Sequence, residues 1–169
     1  MTIRATLCFI VRDNKVLLLK KSEGLFGAGK WNAPGGKIHD GEDPLSCAVR
    51  ETFEETNVRV VNPEHVGIVH FYKYDKRESP DWTAYVFLAR KFEGNPVEGR
   101  EGVTRWFELN SLPFDEMWED DRYWHRLVFE GRRFEAWFYY SGDFEKLVDY
   151  KIEDRTKPPK GSPELLIMF

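Results

Sequence analysis

Hydrophobic residues alternate with polar ones, or run in short blocks, along most of the chain, and this pattern predicts strands on both sides of two helical segments. The first two predicted strands, IRATLCFIVR and KVLLLKK, meet at Asp13-Asn14, a pair typical of turns. Further segments rich in β-branched and aromatic residues are VRVVNPEHVGIVHFYKY, DWTAYVFLARKF, VTRWFEL, RRFEAWFYYS and KLVDYKIE. The last two are expected to pair as a hairpin through Ser141-Gly142.

Two helices are predicted between these strands. Asp43, followed by a proline, is typical of a helix start, because Asp caps free N–H groups and Pro suits the first helical position. This helix is expected to end near Asn57. A second helix is expected to start at Asp120 or Asp121 and to end at Gly131. The order of strands, helix, strands, helix and strands predicts an α+β domain with a mixed sheet.

The length and composition predict one globular domain. A chain of 169 residues fits a single domain, which we place at residues 1–155, with residues 156–169 as a C-terminal tail. No apolar run is long enough to span a membrane, and none has the features of a signal peptide. Cys8 and Cys47 lie in apolar runs without C-x-x-C spacing, so we interpret them as buried thiols of a cytoplasmic protein.

The charge of the chain restricts the class of ligand. The net charge is −4 and no basic stripe is present, so neither a nucleic-acid polymer nor a membrane is expected as a partner. A phosphate-containing ligand would therefore need another source of positive charge. A bound divalent cation is the natural source, because such ions are often the largest local charges in a site.

The first predicted helix carries three carboxylates on one face. At 100° per residue its buried face is predicted to consist of Leu45, Ala48, Val49, Thr52 and Thr56. Glu51, Glu54 and Glu55 then share the opposite face, where like charges repel unless a cation lies among them. Carboxylate oxygens suit Mg²⁺ or Mn²⁺, and Gly35-Gly36 before the helix allows the backbone to approach an ion or a phosphate closely. The alternative is a solvated acidic face.

The segment from Gly36 to Val58 resembles the Nudix box, a motif of the Nudix hydrolase family. The residues that match the motif are Gly36, Glu42, Arg50, Glu51, Glu54, Glu55 and Val58. Thr52 and Asn57 depart from it, where an aliphatic residue and Gly are usual. FGAGKWN, WFELNSLPFDEMWEDDRYW and the final hairpin are similar to the branch of the family that hydrolyses oxidised purine nucleoside triphosphates. The resemblance covers most of residues 3–153 and implies the Nudix fold, an α/β/α sandwich.

The same resemblance implies a catalytic metal site. Its ligands are predicted to be the carboxylates of Glu51, Glu54 and Glu55 and the backbone carbonyl of Gly35 or Gly36. The expected cation is Mg²⁺, with Mn²⁺ possible. Arg50 is predicted to orient a glutamate of the box by a charge-assisted hydrogen bond. Glu101 stands where relatives often carry a further acidic ligand or base, and an exposed loop glutamate is the alternative there.

Recognition of the nucleobase requires other residues. Trp118 is a candidate for stacking on a base, with a place in the core as the alternative, and Asn32 is able to donate and accept at a base edge or sugar. The other candidates for the pocket are Thr6, Lys21, Phe26, Phe71 and Met117. Asp120 and Asp121 either cap the second helix or form a carboxyl pair that shares a proton and hydrogen-bonds a purine edge.

These interpretations predict Mg²⁺-dependent hydrolysis of (deoxy)nucleoside triphosphates to monophosphate and pyrophosphate, with oxidised purine nucleotides such as 8-oxo-dGTP as substrates. One alternative is a Nudix hydrolase of ADP-ribose or a dinucleoside polyphosphate, against which the segment WEDDRYW argues. The other is a Nudix module that binds a nucleotide without cleaving it. The presence of Glu51, Glu54 and Glu55 argues against that module. The sequence is compatible with either a monomer or a homodimer.

Overall fold

A computed structural model of the protein describes residues 1–97 and 102–157. The elements in chain order are β1 Ile3–Arg12, β2 Lys15–Lys21, β3 Trp31–Asn32, β4 Gly35–Lys37, α1 Pro44–Thr56, β5 Arg59–Val61, β6 Glu64–Tyr72, β7 Trp82–Ala89, β8 Lys91–Glu93, β9 Gly102–Glu108, a 3₁₀ helix Phe114–Glu116, α2 Asp121–Phe129, β10 Phe134–Ser141 and β11 Lys146–Asp154. None of the described helices is both long and apolar enough to cross a membrane.

The main sheet has the strand order β11-β10-β6-β7-β1-β2-β3, with β4 also paired to β1 and β9 to β2. Strands β1 and β7 pair in parallel, as do β10 and β6, whereas the other pairs are antiparallel. Strands β5 and β8 form a separate antiparallel pair. The predicted α+β class with a mixed sheet and the predicted final hairpin are confirmed.

The two helices pack on opposite faces of this sheet. In β1, Phe9 belongs to the core that contains Trp124 of α2, whereas its neighbour Cys8 belongs to the core that contains Ala48 of α1. Successive residues of a strand point to opposite faces, so the two cores lie on the two sides of β1. The predicted α/β/α sandwich is therefore confirmed.

Helix α1 has the predicted ends but a different buried face. The Asp43 side chain accepts a hydrogen bond from the backbone N–H of Ser46, and Asn57 ends the helix in the left-handed conformation (φ 65°). Leu45, predicted to be buried, is 47% exposed, whereas Glu55 is only 5% exposed. The helix is thus rotated about its axis, because the Glu55 carboxylate has hydrogen-bond donors on the sheet side.

Helix α2 begins at Asp121, with Asp120 immediately before it. The Asp120 side chain makes no capping hydrogen bond. Its two carboxylate oxygens accept instead from Tyr140 and Trp124, so the capping alternative for Asp120 is wrong. Gly131 follows the helix with a φ of +72°, which fits its predicted role at the helix end.

Candidate active site

Strand β4 brings the backbone of two glycines against both β1 and α1. Gly35 pairs with Leu7 and Gly36 with Thr6. A Cβ atom on Gly35 would lie 1.9 Å from the carbonyl oxygen of Thr6, and a Cβ atom on Gly36 would lie 2.4 Å from the carboxyl carbon of Glu51. Gly35 thus has no room for a side chain, whereas a side chain on Gly36 would displace the Glu51 carboxylate, which lies directly against the Gly36 backbone.

Arg50 connects three glutamates around the start of α1. Its Nε and Nη2 atoms donate to the two carboxylate oxygens of Glu42 at 2.7 and 2.9 Å. Its Nη1 atom donates to Glu51 Oε1 at 2.8 Å and to Glu54 Oε2 at 3.2 Å. These bonds from Arg50 and one from the backbone of His39 lower the pKa of Glu42 to about 2. The structure thus places Arg50 where it orients Glu51 and Glu54, as the sequence predicts.

Glu55 lies apart from the other two helix carboxylates, inside the protein. Its Oε2 atom accepts from Lys21 Nζ at 2.6 Å, and its Oε1 atom accepts from the backbone N–H of Gly35 at 2.6 Å. Burial raises the pKa of Glu55, and the positive charge of Lys21 opposes that effect. Lys21, predicted to bind substrate, therefore also neutralises the most buried carboxylate of α1.

The side chains near α1 fit a divalent cation by their chemistry. Glu51, Glu54 and Glu55 provide hard carboxylate oxygens from one helix, next to the glycine backbone of β4, and such ligands suit Mg²⁺ or Mn²⁺. Over residues 1–97 and 102–157, no three acidic, His or Cys side chains converge in ready ligand geometry. The reason is visible in the contacts: Arg50 holds Glu51 and Glu54, and Glu55 is held separately. Glu101 lies outside the described residues.

A cavity of about 310 Å³ opens beside these glycines. The predicted substrate-binding residues that line it are Thr6, Lys21, Phe26, Asn32, Phe71, Trp118, Asp120 and Asp121. Met117 is outside the lining, because it is 5% exposed and packs in the core. Gly35 and Gly36 line the same cavity. One space therefore joins the glycine-rich strand before α1 to the residues predicted to bind a base.

Aromatic rings form the mouth of the cavity. The ring of Phe26 stacks on Trp82, with centroids 5.8 Å apart and planes at 8°, and on Trp118, with centroids 5.4 Å apart. Phe26 is 61% exposed. Lys30 Nζ lies 5.0 Å from the Trp118 ring centre and Lys37 Nζ lies 5.6 Å from that of Trp82. These flat faces with nearby cations suit an aromatic base that carries phosphates.

Two adjacent buried carboxyls line the inner part of the cavity. Asp120 accepts from the hydroxyl group of Tyr140 through Oδ1 and from Trp124 Nε1 through Oδ2. Asp121 Oδ2 accepts from the backbone N–H of Trp118 at 3.1 Å. Burial raises the pKa of both Asp120 and Asp121. Both carboxyls therefore hold a proton to a higher pH than an exposed aspartate does.

Two polar candidates have partners of their own. The side-chain oxygen of Asn32 accepts from the backbone N–H of Ala33 at 2.8 Å, which directs the Asn32 amide group as a donor. Thr6 is buried, and its hydroxyl group lies 3.3 Å from the sulfur of Cys47. The Asn32 amide group is thus free to donate to a ligand, whereas Thr6 forms part of the floor of the cavity.

The sequence did not point to Lys30, Trp82, Tyr140 and Phe144, which are among the residues that line the cavity. Alternate residues of a strand share one face, so the sequence of β10 could have placed Tyr140 on the inward face. The residues of that face are all buried: Phe134, Ala136, Phe138 and Tyr140. The contact between β10 and the start of α2 could not be predicted in this way, since Asp120 and Tyr140 are 20 residues apart in sequence.

Comparison with known proteins agrees with this geometry. The NUDIX domain model matches residues 1–128. The chain is 36% identical over 149 residues to the oxidized purine nucleoside triphosphate hydrolase of Danio rerio, covering 88% of this chain and 93% of that one. It is 34% identical to the protein of the same name from Mus musculus, with the same coverage. A crystal structure of the mutator MutT protein from Bacillus halodurans has a TM-score of 0.79 at 34% identity, covering 89% of this chain and 97% of that one.

This chain belongs to the Nudix family and is a Nudix hydrolase. Its resemblance to the oxidised purine nucleoside triphosphatase branch is confirmed. Nudix hydrolases act on nucleotide substrates and generally use divalent metal cations, which is consistent with the carboxylates of α1 and the cavity beside them.

Replacing Lys21 by Met is expected to destabilise the fold increasingly as the pH rises. The change leaves the buried Glu55 carboxylate without its cation, so the folded-state pKa of Glu55 rises further. Well below pH 4.5, the ordinary pKa value, both states hold the proton and the variant loses little. Above it only the unfolded chain releases the proton readily. The unfolding free energy should then fall by about 3 kcal/mol relative to the wild type.

Urea unfolding at several pH values measures this difference. Lys20→Met is the matched control, since Lys20 makes an exposed ion pair with Glu116 at 3.5 Å and lies 5.7 Å from the centre of the Trp31 ring, and exposed contacts of these kinds are each worth about 1 kcal/mol or less. An equal loss at pH 4 and pH 8 in Lys21→Met would contradict the electrostatic role of Lys21.

Proposed function

We propose that this protein hydrolyses (deoxy)nucleoside triphosphates to monophosphate and pyrophosphate with Mg²⁺, and that its substrates are oxidised purine nucleotides such as 8-oxo-dGTP. The observation that carries the proposal is the single cavity lined by Gly35, Gly36 and Lys21 together with Trp118 and the buried carboxyls of Asp120 and Asp121. A nucleotide has a polyanionic part and a flat polar base, and this cavity offers a distinct surface to each.

The carboxylates of Glu51, Glu54 and Glu55 are the residues that would hold the cation, with the carbonyl of Gly35 or Gly36. A bound divalent cation neutralises the phosphates and lowers the pKa of the attacking water. Arg50 donates to Glu51 and Glu54, so it sets the direction of both side chains. Glu101 is kept as a candidate for a further acidic ligand or base.

The base-binding part relies on stacking and on the two carboxyls. Trp118 is partly exposed at the mouth of the cavity and presents a flat face. One neutral and one ionised carboxyl of the pair Asp120-Asp121 offer a donor and an acceptor side by side, and Asn32 adds an amide donor. Oxidation adds an oxygen or an N–H group to a purine, which such a set of donors and acceptors is able to distinguish.

The names of the relatives from Danio rerio and Mus musculus favour the purine triphosphate over ADP-ribose or a dinucleoside polyphosphate. The three carboxylates of α1 favour hydrolysis over binding alone. We further expect a protein of the cytoplasm that acts without a nucleic-acid polymer or a membrane, as a monomer or a homodimer.

A substrate panel tests the proposal. The purified protein is assayed with Mg²⁺ for release of pyrophosphate from 8-oxo-dGTP, an oxidised dATP, dGTP and dCTP, and for turnover of ADP-ribose and a dinucleoside polyphosphate. The oxidised purine triphosphates are expected to have the highest kcat/KM, with release of pyrophosphate rather than phosphate. A higher kcat/KM for ADP-ribose, or no turnover of any compound, would refute it.

Glu54→Gln is expected to lower kcat by more than about 100-fold with Mg²⁺, because it removes the charge of a proposed ligand and keeps its shape. Glu54 is largely exposed and its bond to Arg50 is 3.2 Å long, so the melting temperature should change little. The control is Glu64→Gln on β6, which removes an exposed ion pair between Glu64 and Arg133. Near-normal kcat in Glu54→Gln would exclude Glu54 as a ligand.

Trp118→Ala is expected to raise the KM for purine triphosphates by about 10-fold or more, since stacking on a base is worth about 1–3 kcal/mol. Pyrimidine triphosphates, which stack less, should be affected less. Trp137→Ala is the control, because Trp137 stacks on His70 and lies outside the cavity lining. Equal losses for purines and pyrimidines, with a lower melting temperature, would indicate that Trp118 only supports the core.

A further inference from the structure

Phe144 has an unusual backbone conformation for a bulky residue. It lies in the turn between β10 and β11 with φ at +58°, in the left-handed region. There the Cβ atom crowds the following carbonyl oxygen, so glycine is the usual residue and asparagine a common exception. Gly142, in the same turn, is also left-handed, with φ at +54°. The phenylalanine therefore bears a conformational cost that a second glycine would avoid.

Hydrogen bonds around Phe144 hold the turn in this conformation. Within the turn, the backbone N–H of Glu145 donates to the carbonyl oxygen of Ser141 at 3.0 Å. From the loop between β6 and β7, the backbone N–H of Tyr74 donates to the carbonyl oxygen of Gly142 at 2.8 Å. A costly conformation persists only where its surroundings determine it, and such positions concentrate at functional sites. The contacts of the Phe144 side chain therefore indicate what this turn contributes.

The ring of Phe144 lies in the cavity wall, nearly perpendicular to the aromatic stack at the mouth. Its plane is at 78° to that of Trp118 and at 72° to that of Phe26, with ring centres 6.5 and 6.2 Å apart. Phe26 and Trp118 are themselves nearly parallel, at 28°. Edge-to-face contacts are favourable and directional, so this one ring constrains the tilt of both members of the stack.

Phe144 itself has little surface left for a ligand. It is 9% exposed, whereas Phe26 is 61% exposed, and Trp118 is partly exposed at the mouth. A base in the cavity therefore finds its stacking surface on Trp118 and Phe26. Phe144 acts on the base through the orientation of those rings.

We propose that Phe144 is a positioning residue for recognition of the base: its left-handed backbone directs the ring against Trp118 and Phe26, and this contact keeps Trp118 in the orientation that stacks on a purine. The role in substrate binding rests on the proposed function. The conformational cost at Phe144 is a property of the ligand-free protein and is tested separately.

A positioning role has consequences that a purely structural role lacks. Orienting Trp118 before the ligand arrives reduces the ordering cost of binding, so loss of the Phe144 ring should raise KM and leave kcat nearly unchanged. The loss should be larger for purines, which stack over a larger area than pyrimidines do. A ring that only filled the core would lower stability and affect all substrates alike.

The decisive experiment is a double-mutant cycle of Phe144→Gly and Trp118→Ala with 8-oxo-dGTP and dCTP as substrates. Phe144→Gly alone should raise the KM for 8-oxo-dGTP about fivefold, with kcat changed less than about twofold and a smaller effect on dCTP. In the Trp118→Ala background it should change KM by less than about twofold, because Phe144 acts through Trp118. An equal rise of KM in both backgrounds would overturn the proposal.

Phe129→Ala is the matched control for the loss of a phenylalanine ring. Phe129 packs against Phe9 and lies outside the cavity lining. This variant should melt at a lower temperature without a change in the ratio of the KM values for 8-oxo-dGTP and dCTP. The same change of that ratio in Phe129→Ala and in Phe144→Gly would show that general destabilisation causes it, and would overturn the proposal.

The same cycle is measured on the dissociation constant of 8-oxo-dGMP by titration calorimetry, which requires no turnover. Phe144→Gly should weaken binding about fivefold in the wild-type background and hardly at all in Trp118→Ala. If 8-oxo-dGMP binds and no triphosphate reacts, the proposed function is refuted and the binding cycle still decides the role of Phe144. Binding that is unchanged in Phe144→Gly would overturn that role.

Two measurements on the ligand-free protein test the conformational cost. Phe144→Gly should melt about 3 °C above Phe144→Ala, because both lack the ring and only glycine adopts a positive φ without cost. At Val148, in β11, the order should be the reverse, since glycine weakens a strand. In the wild type, a strong NOE between the amide and Hα protons of Phe144 is expected, as is typical of a positive φ. Its absence, or a lower melting temperature for glycine at position 144, would overturn the proposal.

Discussion

The hydrogen bonds of one buried carboxylate join the elements on which the site depends. Glu55 of α1 accepts from Lys21 at the end of β2 and from the backbone N–H of Gly35 in β4. The loss of hydration on burial is costly for a carboxylate, and it is offset here by one cation and one backbone donor. This arrangement turns α1 about its axis, leaves Leu45 exposed, and places Glu51 against the backbone of Gly36.

A second buried carboxylate joins the other helix to the sheet. Asp120, which precedes α2, is bonded to Tyr140 of β10 and to Trp124 of α2. Its partners are neutral donors, whereas Glu55 is paired with a lysine. The cavity lies between these two centres. Under the proposed function, the side with Lys21 would bind the phosphates and the side with Asp120 would distinguish donors from acceptors on the base.

The aromatic mouth shows how the outer part of the cavity is built. Phe26 stacks on Trp82 and Trp118, which are remote from it in sequence, and yet most of its own surface is exposed. Exposed aromatic side chains beside a cavity suggest a surface that a flat ligand completes. The lysines over the tryptophan rings add positive charge to a chain whose net charge is negative.

The sequence by itself determined the class of fold, the two helices and the ends of α1. Local rules were sufficient for the Asp43 cap, the left-handed Asn57 and the alternating strands, because these depend on neighbouring residues. The spacing of the box glutamates carried the family resemblance. Only the tertiary structure decided that Glu55 points inward, that Met117 packs in the core, and that Tyr140 meets Asp120. Periodicity assigns charged residues to the exposed face of a helix. A charged side chain is buried only where residues distant in sequence supply its hydrogen-bond partners, and these cannot be read from the helix alone.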